Sequence, residues 1–268
     1  MSRNERSLTV GDLRRMKASG ERIAALTAYD ATFSRLMDQA GVDLILVGDS
    51  LGMVIQGHES TLPVTLDQMV YHGACVSHGS QRALRVIDMP FLSYSTSKQA
   101  LESAQRLIQQ GSAHVVKLEG GRERLEVVSA LVREGIPVCG HLGLLPQSYL
   151  KLGGYPVQGR SSEDAKHLLE DARLMEDAGV SMMVLECIPS RLAGEITSSL
   201  AVPTIGIGAG PDCDGQVLVS YDLLGCSLNT PSFCFDFLAG EGSVFDAFHR
   251  YVQAVKSGSF PTDAHGFK

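Results

Sequence analysis

The chain has 268 residues, of which 44% are hydrophobic and 20% are charged, a composition typical of a globular protein with a substantial core. Its formal net charge is −7 at pH 7 and its sequence has no basic stripe, so we expect no nucleic-acid partner. No segment approaches the roughly 18 consecutive apolar residues that span a bilayer, and the start lacks the apolar run of a secretory signal, so we expect a cytoplasmic protein without a membrane partner.

Short aliphatic runs alternate with longer amphipathic segments along the chain, which is typical of parallel βα units. The pattern predicts an extra N-terminal helix over 7–20 and then eight strands, at 22–28, 43–48, 83–89, 114–120, 136–143, 181–187, 202–210 and 222–227. Eight strands that are buried on both faces favour an α/β fold, a (β/α)8 TIM barrel, with 1–268 as a single domain. We expect the tail after Phe260 to be loosely held.

Ionisable residues stand at the ends of five predicted strands: Asp49, Asp88, Lys117 with Glu119, His141 and Glu186. The carboxyl ends of barrel strands meet at one mouth, so we expect these side chains to lie together. The alternation of a strand places Lys117 and Glu119 on the same face. Each carboxylate taken alone is as readily explained as a helix cap or a turn residue.

Several carboxylates in one buried place repel each other unless a cation neutralises them. Oxygen ligands favour a hard divalent cation, and the six cysteines lack the spacing of a zinc site, so Mg²⁺ is the predicted ion. Such a site suits enolate chemistry on a 2-oxo acid, with a base that removes the neighbouring proton. Glu186 follows an apolar run and is the predicted base, whereas His141 could equally be a core histidine.

A series of longer motifs resembles one enzyme family. The phrases "LVGDSLGM", "VKLEGG", "VCGHLGLLPQS", "VLECIP" and "IGIGAGPDCDGQVLV" occur in the order found in the 3-methyl-2-oxobutanoate (ketopantoate) hydroxymethyltransferase family. The resemblance implies a barrel of the phosphoenolpyruvate/pyruvate type, bound Mg²⁺ and a homo-oligomer, commonly a decamer. It also implies transfer of a hydroxymethyl group from 5,10-methylenetetrahydrofolate to 3-methyl-2-oxobutanoate, giving 2-dehydropantoate through a magnesium-stabilised enolate in pantothenate biosynthesis.

The resemblance also implies a role for each matching residue. Its metal-site acids match Asp49, Asp88 and Glu119. Its substrate-binding residues match Asp49, Ser50, Asp88, Lys117 and His141, and its catalytic proton acceptor matches Glu186. Two places depart from the family pattern: Pro156 replaces a frequent lysine, and "NTPSFCFDF" at 229–237 lacks the usual basic residues. These departures are expected to affect loop closure, folate affinity or subunit contacts.

Two other interpretations are open at this point. The chain could be a lyase or mutase of the same barrel superfamily that acts on another 2-oxo acid without folate. It could also be a binding or assembly module in which Phe233, Phe235 and Phe237 form an oligomer surface.

Overall fold

Eight parallel strands form a closed barrel, in chain order, in a computed structural model that describes residues 6–227, 229–240 and 242–268. The strands are β1 (Ile23–Thr27), β2 (Leu44–Val47), β3 (Leu84–Asp88), β4 (Val115–Glu119), β5 (Val138–Gly143), β6 (Met182–Glu186), β7 (Thr204–Ile207) and β8 (Gly215–Leu218). The helices are α1 (Val10–Ser19), α2 (Ala31–Ala40), α3 (Leu51–Val54), α4 (Leu66–Gly79), α5 (Ser97–Gln109), α6 (Leu125–Arg133), α7 (Tyr149–Leu152), α8 (Ser162–Asp177), α9 (Ser190–Ser199), α10 (Ser220–Leu223) and α11 (Val244–Ser257). Within the described ranges, no helix has the length and apolar character needed to cross a membrane.

Two hydrophobic clusters divide the core, as the alternation along the strands requires. In β2, for example, Leu44 and Leu46 point into the barrel, whereas Ile45 and Val47 pack under the helices. The predicted N-terminal helix is confirmed as α1, and its Leu13 packs in the interior cluster. The opposite, carboxyl end of the barrel carries the polar strand ends.

The eighth strand was predicted at the wrong place. β8 is Gly215–Leu218, and the predicted run at 222–227 overlaps α10, whose Leu223 is buried. β8 pairs with both β7 and β1, and a Cβ on Gly215 would lie only 2.6 Å from Ile23 Cβ. A strand that begins with Gly and Gln has little β propensity, so its pairing on both sides decides its position.

The expectation of a loosely held tail was also wrong. Pro189 and Phe267 form a parallel bridge, and the Ser190 N–H donates to the Phe267 carbonyl at 2.9 Å. Gly266 lies so close to the barrel that a Cβ there would be 3.2 Å from Gly210 Cα and would collide with Ser190 Oγ. The tail is therefore anchored at the carboxyl end of the barrel.

Asp43 connects three parts of the barrel at its amino end. The side chain is buried and accepts hydrogen bonds from the Ala24 N–H at 3.0 Å and from Arg82 at 2.8 Å. Lys256 Nζ of α11 lies 2.6 Å from Asp43 Oδ2, the oxygen that also accepts from the Ala24 N–H. Asp43 therefore holds β1, the loop before β3 and the last long helix together.

We expect Asp43→Ala to lower the free energy of unfolding by about 3 kcal/mol, because Arg82 loses its carboxylate partner, the Ala24 N–H loses its acceptor, and Lys256 keeps only Glu21. Urea unfolding of the purified protein measures this change. Asp67→Ala is the matched control, since Asp67 pairs with Arg106 on the surface, where such pairs contribute little. Equal stability of the two variants would contradict the role of Asp43.

Candidate active site

A cavity of about 560 Å³ lies at the carboxyl ends of the strands. It brings together all seven site residues predicted from the sequence: Asp49, Ser50, Asp88, Lys117, Glu119, His141 and Glu186. Five of the ionisable side chains are almost fully buried, and the Glu186 side chain is 16% exposed. The predicted convergence of these strand ends is therefore seen in the structure.

Asp49 and Asp88 meet where β2 and β3 end. The Asp49 N–H donates to Asp88 Oδ2 at 3.0 Å, and Lys117 Nζ donates to Asp88 Oδ1 at 2.7 Å. The preceding Gly48 leaves room for the Ser50 hydroxyl, because a Cβ there would lie 2.8 Å from Ser50 Oγ. Ser50 Oγ in turn lies 2.9 Å from the hydroxyl of Tyr29.

The strand register places the next groups side by side. Lys117 is the register partner of Asp88, and Glu119 is the partner of His141. Glu119 Oε2 accepts a hydrogen bond from the Gln147 N–H at 3.0 Å, but Glu119 Oε1 is buried without a hydrogen-bond donor. A buried carboxylate oxygen without a donor indicates that a cation or a proton belongs there.

His141 stands between two carboxylates. Its Nε2 is 3.1 Å from Glu186 Oε2 and its Nδ1 is 3.7 Å from Glu119 Oε1, although neither contact has hydrogen-bond geometry. Burial, followed by the charge of Lys117, lowers the pKa of His141 well below its usual value. The ring is therefore neutral at pH 7 and has a single N–H to donate.

The electrostatics of the cavity are those of a site with excess negative charge. Burial, together with the charge of Asp88, raises the pKa of Asp49 to about 7. Burial and the charge of Asp49 raise the pKa of Glu119 well above its usual value, and burial raises that of Glu186 to about 8. Burial alone would lower the pKa of Lys117, but the neighbouring carboxylates raise it, so this amine stays charged.

The donor chemistry fits a hard divalent cation. Asp49, Asp88 and Glu119 offer only carboxylate oxygens, and Lys117 is the only Lys or Arg among the described residues that line the cavity. Within the part of the chain that the structure describes, no three His, Cys, Asp or Glu side chains already stand in a coordination arrangement. These three acids could hold such an ion after a change of side-chain position.

Two residues that no sequence pattern predicted, Gln147 and Tyr94, form hydrogen bonds with Asp49 and Glu119. Gln147 donates from Nε2 to Asp49 Oδ2 at 2.8 Å, and the hydroxyl of Tyr94 donates to Gln147 Oε1 at 2.5 Å. Gln147 lies in the motif "LLPQS", but a glutamine in a turn gives no local signal of a site. Tyr94 gives none either, because its contacts come from chain segments far away.

The outer part of the cavity is aromatic and apolar. Phe233 and Phe267 lie in its wall with ring centroids 6.3 Å apart, and Tyr155 and Met53 lie in it as well. Phe233, Phe235 and Phe237 therefore do not form one surface: Phe233 lines the cavity, Phe237 is buried and Phe235 is exposed.

Comparisons with known proteins agree on one family. The model of the family described as "Ketopantoate hydroxymethyltransferase" matches residues 7–263. The chain is 58% identical to a 3-methyl-2-oxobutanoate hydroxymethyltransferase of Methylococcus capsulatus, covering 97% of each chain. It is 54% identical to one of Alkalilimnicola ehrlichii, covering 98% of this chain and 95% of the relative.

Solved structures with low sequence identity share the fold. A phosphoenolpyruvate phosphomutase of Streptomyces platensis matches with a TM-score of 0.61 at 13% identity, over 81% of this chain and 83% of that one. A 2,3-dimethylmalate lyase of the PEP mutase/isocitrate lyase superfamily matches with a TM-score of 0.57 at 18% identity, over 81% and 83%. These matches confirm the predicted (β/α)8 barrel fold.

Because the pKa of Glu186 is raised, we expect the free energy of unfolding of the metal-free protein, kept so by EDTA, to depend on pH. From its usual pKa of 4.5 up to about 8, the unfolded chain releases this proton while the folded chain keeps it. The free energy of unfolding therefore falls as the pH rises from 5 to 8. We expect Glu186→Gln to make this fall smaller, and the raised pKa of Asp49 leaves part of it in place.

Urea unfolding at pH 5 and pH 8 measures the difference. Glu163→Gln, on the exposed first turn of α8, is the matched control and should retain the pH dependence of the parent chain. An identical pH dependence in the Glu186→Gln variant would show that Glu186 is not buried in an apolar setting.

Proposed function

Because the chain belongs to the ketopantoate hydroxymethyltransferase family, we propose that its strand-end cavity binds both 3-methyl-2-oxobutanoate and 5,10-methylenetetrahydrofolate. The activity itself is hydroxymethyl transfer to 3-methyl-2-oxobutanoate, a step of pantothenate biosynthesis. The lyase or mutase alternative is not favoured, since close relatives over nearly the whole length are named as this transferase. The assignment of residues to roles rests on the geometry of the cavity.

The reaction exchanges a C–H bond for a C–C bond. A base takes the proton from C3 of 3-methyl-2-oxobutanoate, and the electron pair moves into the neighbouring keto group. C3 then bonds to the methylene carbon of the donor, and both bonds from that carbon to nitrogen break. Water supplies the hydroxyl group, and the two nitrogens take up the proton held by the base and the remaining proton of the water. The products are 2-dehydropantoate and tetrahydrofolate.

Glu186 is the proposed base, and its position is the observation that carries the proposal. Its partly exposed carboxylate lines the cavity, and its pKa of about 8 makes it a stronger base than an exposed glutamate. The neutral ring of His141 lies 3.1 Å away, and a rotation of either side chain would let its N–H donate to this carboxylate and orient it.

The substrate is an anion and must enter a cavity with four acidic side chains. Lys117 keeps its positive charge there and is the proposed electrostatic partner of the substrate oxygens. Ser50 lies at the cavity wall, and its hydroxyl can donate to the substrate while Tyr29 donates to it. Lys117 and Ser50 together orient a carboxylate or keto oxygen of the substrate beside Asp49 and Asp88.

Asp49, Asp88 and Glu119 would hold Mg²⁺, as their oxygen donors and the unpartnered Glu119 Oε1 suggest. When bound, the ion supplies the positive charge that polarises the keto group and offsets the three carboxylates.

The folate donor is assigned to the outer part of the cavity. Phe233, Phe267 and Tyr155 offer aromatic faces, against which a flat pteridine ring can stack. Asn229, in the segment that departs from the family pattern, also lines this part. The homo-oligomer and the cytoplasmic location stay predictions.

Deuterium exchange tests the first half of the reaction without the folate donor. In D₂O with Mg²⁺, the parent chain should exchange the C3 proton of 3-methyl-2-oxobutanoate, as followed by NMR. We expect Glu186→Gln to slow this exchange by about 10²–10⁴-fold, because the amide cannot accept the proton. EDTA should slow it as well.

The exposed Glu163→Gln variant is the control and should exchange at the parental rate. Unchanged exchange in Glu186→Gln would assign the base to another residue. Cleavage of an oxo acid in the absence of folate, with no transfer when folate is added, would favour the lyase alternative.

Phe267→Ala tests the donor side. We expect KM for methylenetetrahydrofolate to rise by about tenfold, because the loss of one stacking wall costs about 1.4 kcal/mol of binding. The C3 exchange rate should stay close to that of the parent. Phe235→Ala, on the same loop as Phe233 but outside the cavity, should change neither value. A parental KM in Phe267→Ala would place the donor elsewhere.

A further inference from the structure

Gln147 lies at the centre of a buried hydrogen-bond network that connects two of the acids. Its side-chain amide donates to Asp49 Oδ2 at 2.8 Å, and its backbone N–H donates to Glu119 Oε2 at 3.0 Å. These acids follow β2 and end β4, whereas Gln147 lies in the turn Pro146–Ser148 beyond β5. One residue thus bonds to both carboxylates from a third segment.

Every hydrogen-bonding group of the Gln147 side chain is in use. The second contact of Nε2 is to the carbonyl of Met89 at 2.9 Å, and Oε1 accepts from the hydroxyl of Tyr94 at 2.5 Å. Tyr94 also accepts from the Glu119 N–H at 3.3 Å, which closes the network on itself. Arg124 lies over the Tyr94 ring at 5.1 Å and covers the network on its outer side.

The network permits only one orientation of the amide. The Met89 carbonyl can only accept, so the nitrogen of Gln147 must point toward it and Asp49. A flipped amide would place Oε1 against two acceptors and lose both hydrogen bonds that Nε2 donates, although the Tyr94 hydroxyl could turn to accept from the amide. The side chain is buried, so no water can replace those bonds cheaply.

The consequence is that only one oxygen of each acid is bonded to Gln147. Among the described residues no hydrogen bond reaches Asp49 Oδ1, and Glu119 Oε1 is buried without a donor. Those two oxygens are therefore the ones free for a ligand. We propose that Gln147 is a positioning residue, which fixes Asp49 and Glu119 relative to each other so that one oxygen of each is left to bind a divalent cation.

This inference rests on the proposed function for the identity of the cation, but its geometry is independent of it. A residue with a merely structural role would change the stability of the fold and leave cation affinity and kcat alone. Loss of a positioning residue changes cation affinity and kcat, because loss of the supporting contacts around metal ligands typically costs 10–100-fold in affinity or activity.

The experiment compares three full-length variants with the parent chain. Gln147→Met keeps the length of the side chain and removes its hydrogen bonds, and Tyr94→Phe removes the hydroxyl that donates to Gln147 Oε1 and accepts from the Glu119 N–H. Gln105→Met, on the exposed face of α5, is the matched control. The Kd for Mg²⁺ is measured by calorimetry on protein without substrate, alongside kcat, KM, C3 deuterium exchange and the melting temperature in EDTA.

We expect Gln147→Met to raise the Kd for Mg²⁺ by about 10–100-fold and to lower kcat and C3 exchange more than it raises KM. Tyr94→Phe should change the same values in the same direction by less, and Gln105→Met should match the parent. If both variants fold and keep the parental Kd and exchange rate, with only a lower melting temperature, the proposal is overturned.

The experiment separates a failure of the Mg²⁺ assignment from a failure of the role of Gln147. A parent chain that binds no Mg²⁺ would contradict the metal part of the proposed function, and C3 exchange would then decide the role of Gln147. Slower exchange in both network variants would support it, and parental exchange would refute it. If Gln147→Met does not fold, a parental Kd and exchange rate in Tyr94→Phe overturn the proposal, and a higher Kd with slower exchange supports positioning by the network that Gln147 and Tyr94 form.

Discussion

The site depends on offsetting the electrostatic cost of placing Asp49, Asp88, Glu119 and Glu186 in one cavity, where Lys117 is the only Lys or Arg among the described lining residues. Burial strengthens the repulsion between carboxylates because the surrounding dielectric constant is low. The raised pKa values of Asp49 and Glu186 are the direct sign of this cost. Local hydrogen-bond donors offset part of this electrostatic cost. The uncompensated part favours the binding of any ligand that brings positive charge.

The fold distributes those compensating contacts over several strands. Lys117 is bonded to Asp88 from the neighbouring strand, and Gln147 bonds Asp49 and Glu119 from a turn beyond β5. The closed barrel keeps these segments at fixed distances, since each strand is bonded on both sides. The acids therefore stay close together although they repel each other, which is the preorganisation that an enzyme site requires.

The cavity also separates two kinds of chemistry. Charged groups lie deep at the strand ends, while Phe233 and Phe267 form an aromatic wall nearer the opening. The tail contributes Phe267 to this wall, and a backbone hydrogen bond from the Ser190 N–H to the Phe267 carbonyl holds it there. This division agrees with the proposal that the small anionic substrate binds among the charged groups and the flat donor binds at the aromatic wall.

The sequence by itself determined the barrel, seven of its strands and the six ionisable residues of the deep cavity, while the role of Ser50 was implied by the family resemblance. Those features depend on local signals: apolar runs with a two-residue period, and polar residues where the runs end. Only the tertiary structure decided the position of β8, the anchoring of the tail and the contacts of Gln147 and Tyr94. Each of these is set by partners far away in the chain, such as Asp49 for Gln147 or Ile23 for Gly215, and a local pattern carries no information about a partner that only folding brings near.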